Sequence, residues 1–109
     1  MSQKLVVSIG FIFASVITLL LFQDKAYIAS IILIALTFLK HGILPIKKEF
    51  NWYMMICTGG AIVELTLVNV GDAWSYANPQ FFGLPVYMPL FWGLIGTTVI
   101  NTYQELTKT

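Results

Sequence analysis

The chain has 109 residues, of which 58% are hydrophobic and 10% charged, and its formal net charge is +1 at pH 7. So few polar side chains cannot cover a soluble domain of this size, and the composition points to a membrane protein. The charge comes from six lysines against five acids with no arginine, which excludes a basic surface suited to gripping a nucleic-acid backbone.

Crossing about 30 Å of hydrocarbon takes about 20 helical residues. Four stretches qualify, and a single membrane domain over 1–109 is predicted, with helices at about 5–22, 26–44, 52–70 and 84–103. The first follows Lys4 and resembles a secretory signal only superficially. Its apolar run exceeds the roughly 7–15 residues of a signal-peptide core, and the segment QDKAYIAS after it lacks an A-x-A pair. It is predicted to be the first transmembrane helix. Gly10, Ala14 and Thr18 recur every four residues along it, which puts small side chains on one face and predicts that this face packs inward.

Gln23, Asp24 and Lys25 make a short polar turn, so the first two helices form an antiparallel hairpin. The apolar run of the second ends at Leu39. Its continuation through Lys40 and His41 toward Leu44 is expected to let the lysine snorkel to the headgroups, with Gly42 and Pro45 marking the end. The connection that follows carries Lys47, Lys48 and Glu49, and Trp52 and Tyr53 come next at the depth of the interface. Lys4, Lys40, Lys47, Lys48 and Lys108, five of the six lysines, fall on the side shared by this connection and both termini. The positive-inside rule therefore predicts cytoplasmic termini.

The third helix holds Gly59, Gly60 and Ala61 at mid-membrane and Glu64 one turn beyond Gly60. An ionised carboxylate in hydrocarbon costs at least about 2.5–3.5 kcal/mol, so such acids turn toward a partner or a cavity. Two readings follow. Glu64 is a proton-, cation- or ligand-binding group, or it locks helix packing by hydrogen bonding to a hydroxyl or a backbone carbonyl. Asp72 lies a little over two turns further along, where it either extends an acidic path from Glu64 or ends the helix in a turn with Gly71.

The connection at 71–85 has no basic residue, and Trp74, Tyr76, Phe81 and Phe82 predict that it lies in the outer interface. With Trp92 these aromatics form either an aromatic belt or a pocket for a lipid or quinone-like ligand. The fourth helix is predicted from Leu84 or Pro85, and Pro89 means that it starts late or is kinked there. Trp92, Gly93, Gly96 and Thr97 supply a second small-residue face.

Little here resembles catalytic equipment. His41 is the single histidine, expected at a helix end near the surface, where a cation complements the carbonyl end of the helix. Cys57, the single cysteine, lies in an apolar run as a packing residue. No nucleophile, base and orienting group assemble into a catalytic set, and no metal cluster, phosphate loop or cofactor motif is present.

The run WSYANP followed by FGLPVYMPLFWG, within residues 74–93, resembles a pattern of small bacterial multi-pass membrane proteins of unassigned function. That resemblance implies a bacterial inner-membrane location and no mechanism. Size and helix count are also similar to the small multidrug resistance transporters, whose coupling carboxylate lies in the first helix; the first helix here has no acid, so their function is not carried over.

The expectation is an all-α integral membrane four-helix bundle of the cytoplasmic membrane, acting as a non-enzymatic accessory or binding module without a cofactor. Its expected partners are the lipid bilayer and either further copies of itself or a larger membrane protein, not nucleic acid. Glu64, Asp72, Trp74 and Trp92 are the candidate ligand- or proton-binding residues. The alternative is an oligomeric proton- or cation-coupled transporter that uses Glu64.

Overall fold

A computed structural model of the chain describes residues 2–72, 75, 76, 79 and 82–107. Four helices account for most of them: α1 Gln3–Phe22, α2 Ala26–Ile43, α3 Glu49–Asn69 and α4 Met88–Leu106. Among the described residues there is no strand. The helices α1, α2 and α3 are each long and apolar enough to cross a membrane.

Ser2 caps α1 by accepting a hydrogen bond from the Leu5 N–H at 3.1 Å. The buried face of α1 is Ser8, Phe11, Ser15 and Thr18. Gly10 is exposed, and a Cβ placed on it would meet nothing within 4 Å. The small-residue face expected through Gly10, Ala14 and Thr18 is buried at Thr18 but rotated by about one residue toward Ser8 and Ser15, because the inward face is set by the hydroxyls. Ser8, Ser15 and Thr18 each bond a carbonyl of the preceding turn, at 2.9, 2.8 and 2.7 Å. Such hydroxyls are self-satisfied and compact, and they allow close helix approach as glycine does.

α2 turns Ala26, Ala29, Leu33 and Lys40 inward on one stripe. α4 begins later than expected, at Met88, so residues 84–87 precede it. Pro89 sits in its first turn, where no intrahelical N–H is lost, and this settles the choice between a late start and a kink. Tyr87 precedes the helix, buried, and burial pushes its phenol above the ordinary value.

α4 packs against α1, α2 and α3, and so occupies the centre of the arrangement. Its contact with α3 is close because glycines face bulky neighbours. A Cβ on Gly93 would lie 2.5 Å from the Tyr53 ring, and one on Gly96 would strike Ile56. The small-residue face predicted for this helix is therefore an interface with α3. On the α1 side, the Thr102 hydroxyl donates to Ser8 Oγ at 3.1 Å. The central position also explains why α4, with Thr97, Thr98 and Asn101 buried, falls outside the set of helices apolar enough to span a membrane alone. A helix wrapped by partners need not present an apolar surface on every side.

The core is built at one end by Ala26, Ala29, Leu33, Tyr87, Met88 and Leu94, with Tyr76 and Trp92 packed against it. That end also gathers Asp24, Tyr76 and Pro85 around one cleft. At the other end Lys4, Pro45, Asn101 and Gln104 border a second cleft, so the start of α1, the α2–α3 connection and the end of α4 lie together. The outer faces are apolar: Phe13, Leu20, Ile31, Phe38, Met55 and Val63 are among the exposed large side chains. The molecule measures 43 × 25 × 22 Å.

Candidate functional site

Two polar centres occupy opposite ends of α3. The first is Glu64, 5% exposed. One turn before it, Gly60 lets Trp92 of α4 come so close that a Cβ there would lie 2.5 Å from the indole Cγ. The 71–85 connection is held to the end of α3 by Asn69, whose side-chain amide donates to the Phe82 carbonyl at 2.7 Å and to the Leu65 carbonyl at 3.0 Å. From this connection the Tyr76 hydroxyl reaches back and donates to Glu64 Oε1 at 3.0 Å. Oε2 is buried and has no hydrogen-bond partner among the described residues, and the same holds for Trp92 Nε1 and Asn101 Oδ1.

The candidate residues are thus treated unequally. Trp92 belongs to the α3–α4 contact at Gly60, one turn before the buried Glu64. Asp72 stands apart, exposed and in the left-handed region at φ 48°, where its short polar side chain tolerates a turn. It takes no part in the bond that holds Glu64, whose partner is Tyr76. Trp74 lies outside the described residues, as do Phe81 and Lys108. Tyr76, expected in the outer interface with its aromatic neighbours, instead turns inward as part of the site, while Phe82 is exposed.

The second centre was not legible as such in the sequence. Glu49, 6% exposed, occupies the first turn of α3, and Lys40, 0% exposed, the last turn of α2. Lys40 Nζ lies 3.1 Å from Glu49 Oε2, and His41 Nδ1 lies 3.1 Å from Oε1. The Ile46 N–H donates to the same Oε1 at 3.0 Å. The expectation that Lys40 snorkels to the headgroups is corrected: its ammonium is turned inward onto Glu49. The reason is the hairpin. The connection between α2 and α3 is only residues 44–48, so side chains one turn from its two ends face each other. Lys48 enters α3 in the left-handed conformation, φ 56°, and places Glu49 over the end of α2.

The chain matches no family model, no curated protein and no solved structure. The chemistry of the two centres therefore rests on their geometry alone. Glu49 meets donors at both oxygens and is internally satisfied. Glu64 has one neutral donor on one oxygen, and the ion pairs among the described residues, Lys40–Glu49 and His41–Glu49, do not involve it. A buried carboxyl group with one open oxygen can take up a proton, a cation or the donor group of a ligand. Cys57 is buried against the Gly93 backbone region and serves packing.

Proposed function

We propose that the protein is a multi-pass integral membrane protein, its four helices crossing the bilayer and its end bearing Lys4, Lys47 and Lys48 in the cytoplasm. Its long dimension of 43 Å suits a bilayer of about 40–45 Å with headgroups, and its outer faces are apolar. In this membrane it acts as a non-enzymatic binding module, with Glu64 as the group that takes up a proton, a cation or a partner's donor. The observation that carries this reading is the open Oε2 of Glu64 in a site otherwise closed by Tyr76.

The test is infrared difference spectroscopy of the protein in lipid, compared with Glu64→Gln. A carboxyl band that disappears in the variant, responds to pH or to added cations, and moves in Tyr76→Phe supports a binding site. A band indifferent to all three makes Glu64 a packing group. A second reading, an oligomeric proton- or cation-coupled transporter, draws on the same buried carboxyl group, held on one oxygen by the Tyr76 hydroxyl. It predicts that Glu64→Gln assembles normally and abolishes flux, whereas a binding module shows no flux to lose.

A further inference from the structure

Between α2 and α3 a cleft of about 380 Å³ opens on the flank of the bundle, at the end opposite Glu64. Volumes from about 300 Å³ upward are typical of small-molecule sites. Its walls are Ile34 and Phe38 from α2 and Phe50 and Tyr53 from α3, and Leu90 of α4 lies behind them. His41 and Glu49 form its polar end. Ile34 and His41 are seven residues apart on α2, which makes the cleft about 10 Å long. It is a short, mainly apolar slot with the Thr37 hydroxyl on its α2 wall and His41 and Glu49 at one end.

The hydrogen bonding at that terminus defines what it offers. Glu49 accepts from Lys40 on Oε2 and from the Ile46 N–H on Oε1, so the His41 contact to Oε1 is made with Nδ1–H donating. The ring's other nitrogen, Nε2, is left on the far edge of a side chain that is 60% exposed. Lys40 and Glu49 neutralise each other, while Lys47 and Lys48 stand exposed on the adjoining connection. This end of the slot therefore offers a nitrogen able to share a proton, and the two lysines, which border a neighbouring cleft with Trp52 and Tyr103, add positive charge close by.

We propose that this cleft binds a single-chain amphiphile with a carboxylate headgroup, entering sideways from the bilayer, its chain along Phe38 and Phe50 and its carboxyl on His41 Nε2. A carboxyl group suits this nitrogen in either state. The acid donates its O–H to a neutral imidazole, and the carboxylate accepts N–H from an imidazolium; one proton lies between the same two atoms in both cases. The positive charge of Lys47 and Lys48 on the adjoining connection favours an anion over a neutral alcohol. A transmembrane helix is a poorer occupant, since its backbone donors are already bonded within it and a slot two turns long engages little of its surface. This site is separate from Glu64 and does not depend on its role.

The experiment uses the full chain in phosphatidylcholine nanodiscs with a palmitate analogue carrying a diazirine in its chain, and labelled positions are mapped by mass spectrometry. Labelling is expected on Ile34, Phe38, Phe50 or Tyr53 and is competed by palmitate, with hexadecanol at least about tenfold weaker. His41→Phe is expected to lower labelling by about tenfold or more, the loss of one charge-assisted hydrogen bond. Ile34→Trp, which fills the slot without touching the ion cluster, is expected to abolish it. Labelling of Phe13 and Leu20 at the same level, without competition, identifies ordinary annular lipid and overturns the proposal. Equal competition by hexadecanol overturns the anionic headgroup. Disulfide formation between two copies of Phe38→Cys that excludes the probe shows instead that a second copy covers the cleft, and overturns it as well.

Discussion

Lys40 and Glu49 lie 3.1 Å apart and almost out of solvent, yet the loss of one does not mirror the loss of the other. Without Lys40, Glu49 keeps His41 and the Ile46 N–H. Without Glu49, the Lys40 ammonium loses its one ion-pair partner among the described residues in a fully buried position. Breaking a buried pair by removing one member costs about 3–5 kcal/mol, and removing both is often near neutral. Glu49→Leu is therefore expected to destabilise by about that amount, Lys40→Met by clearly less, and the double substitution to recover most of the loss. Unfolding of the three variants in mixed detergent micelles measures this; losses that simply add in the double substitution would show that the pair is not the stabilising contact. The individual types and positions of Lys40, His41 and Glu49 are plain in the sequence. Their meeting is not, because a lysine at the end of an apolar run is equally compatible with snorkelling outward, and only the direction of the hairpin decides between the two.

Among the helices, α4 bears the most constraint, since three neighbours share its surface. Where it meets α3, Gly93 lies under Tyr53 and Cys57, and a side chain there has no space. Gly93→Leu is expected to force α3 and α4 apart at a cost of about 1–3 kcal/mol or more, whereas Gly10→Leu on the open face of α1 is expected to stay within about 0.5 kcal/mol. Thermal unfolding in lipid separates the two. Pro89 supplies a second contrast. In the first turn it displaces no hydrogen bond, so Pro89→Ala is expected to change stability by no more than about 1 kcal/mol. A large gain of stability would instead mean that the proline interrupts a helix already begun. The small-residue spacing in α4 identified its packing face, but the same argument chose the wrong register in α1. Glycine, alanine, serine and threonine all serve close approach, and α1 has enough of them on adjacent faces that spacing alone does not choose one.

The assembled bundle carries its apolar residues outward and its polar ones at the ends and along the centre, the inverse of a water-soluble domain. Lys4, Lys47 and Lys48 gather at one end and Lys25 stands at the other, which gives the proposed orientation a direct check. In a Cys57→Ala background, Lys47→Cys is expected to react with a membrane-impermeant maleimide only after the membrane is opened, and Asp24→Cys to react in intact cells. The reverse pattern inverts the orientation; reaction of both from one side would refute the four-crossing arrangement. Retention in the membrane after alkaline carbonate extraction is expected from three helices that each reach the span threshold.

What the chain determines by itself is its class and its punctuation. Apolar runs of span length, broken by Gln23 to Lys25, by Pro45 and by Gly71, predict helices with two short connections and one long one, and these locate three of the four helices to within about three residues. The composition likewise marks Glu64 as a buried acid needing an explanation. What only the tertiary structure decided is which residues answer it. Tyr76 is twelve residues away in a connection read as interfacial, and it becomes the partner of Glu64 because its hydroxyl turns back onto α3. Lys40 and Glu49, nine residues apart, become a buried pair through one tight turn. In both cases the local sequence is compatible with contact with lipid or water, and the alternative wins because a buried polar group is stabilised most by a partner the fold brings to it.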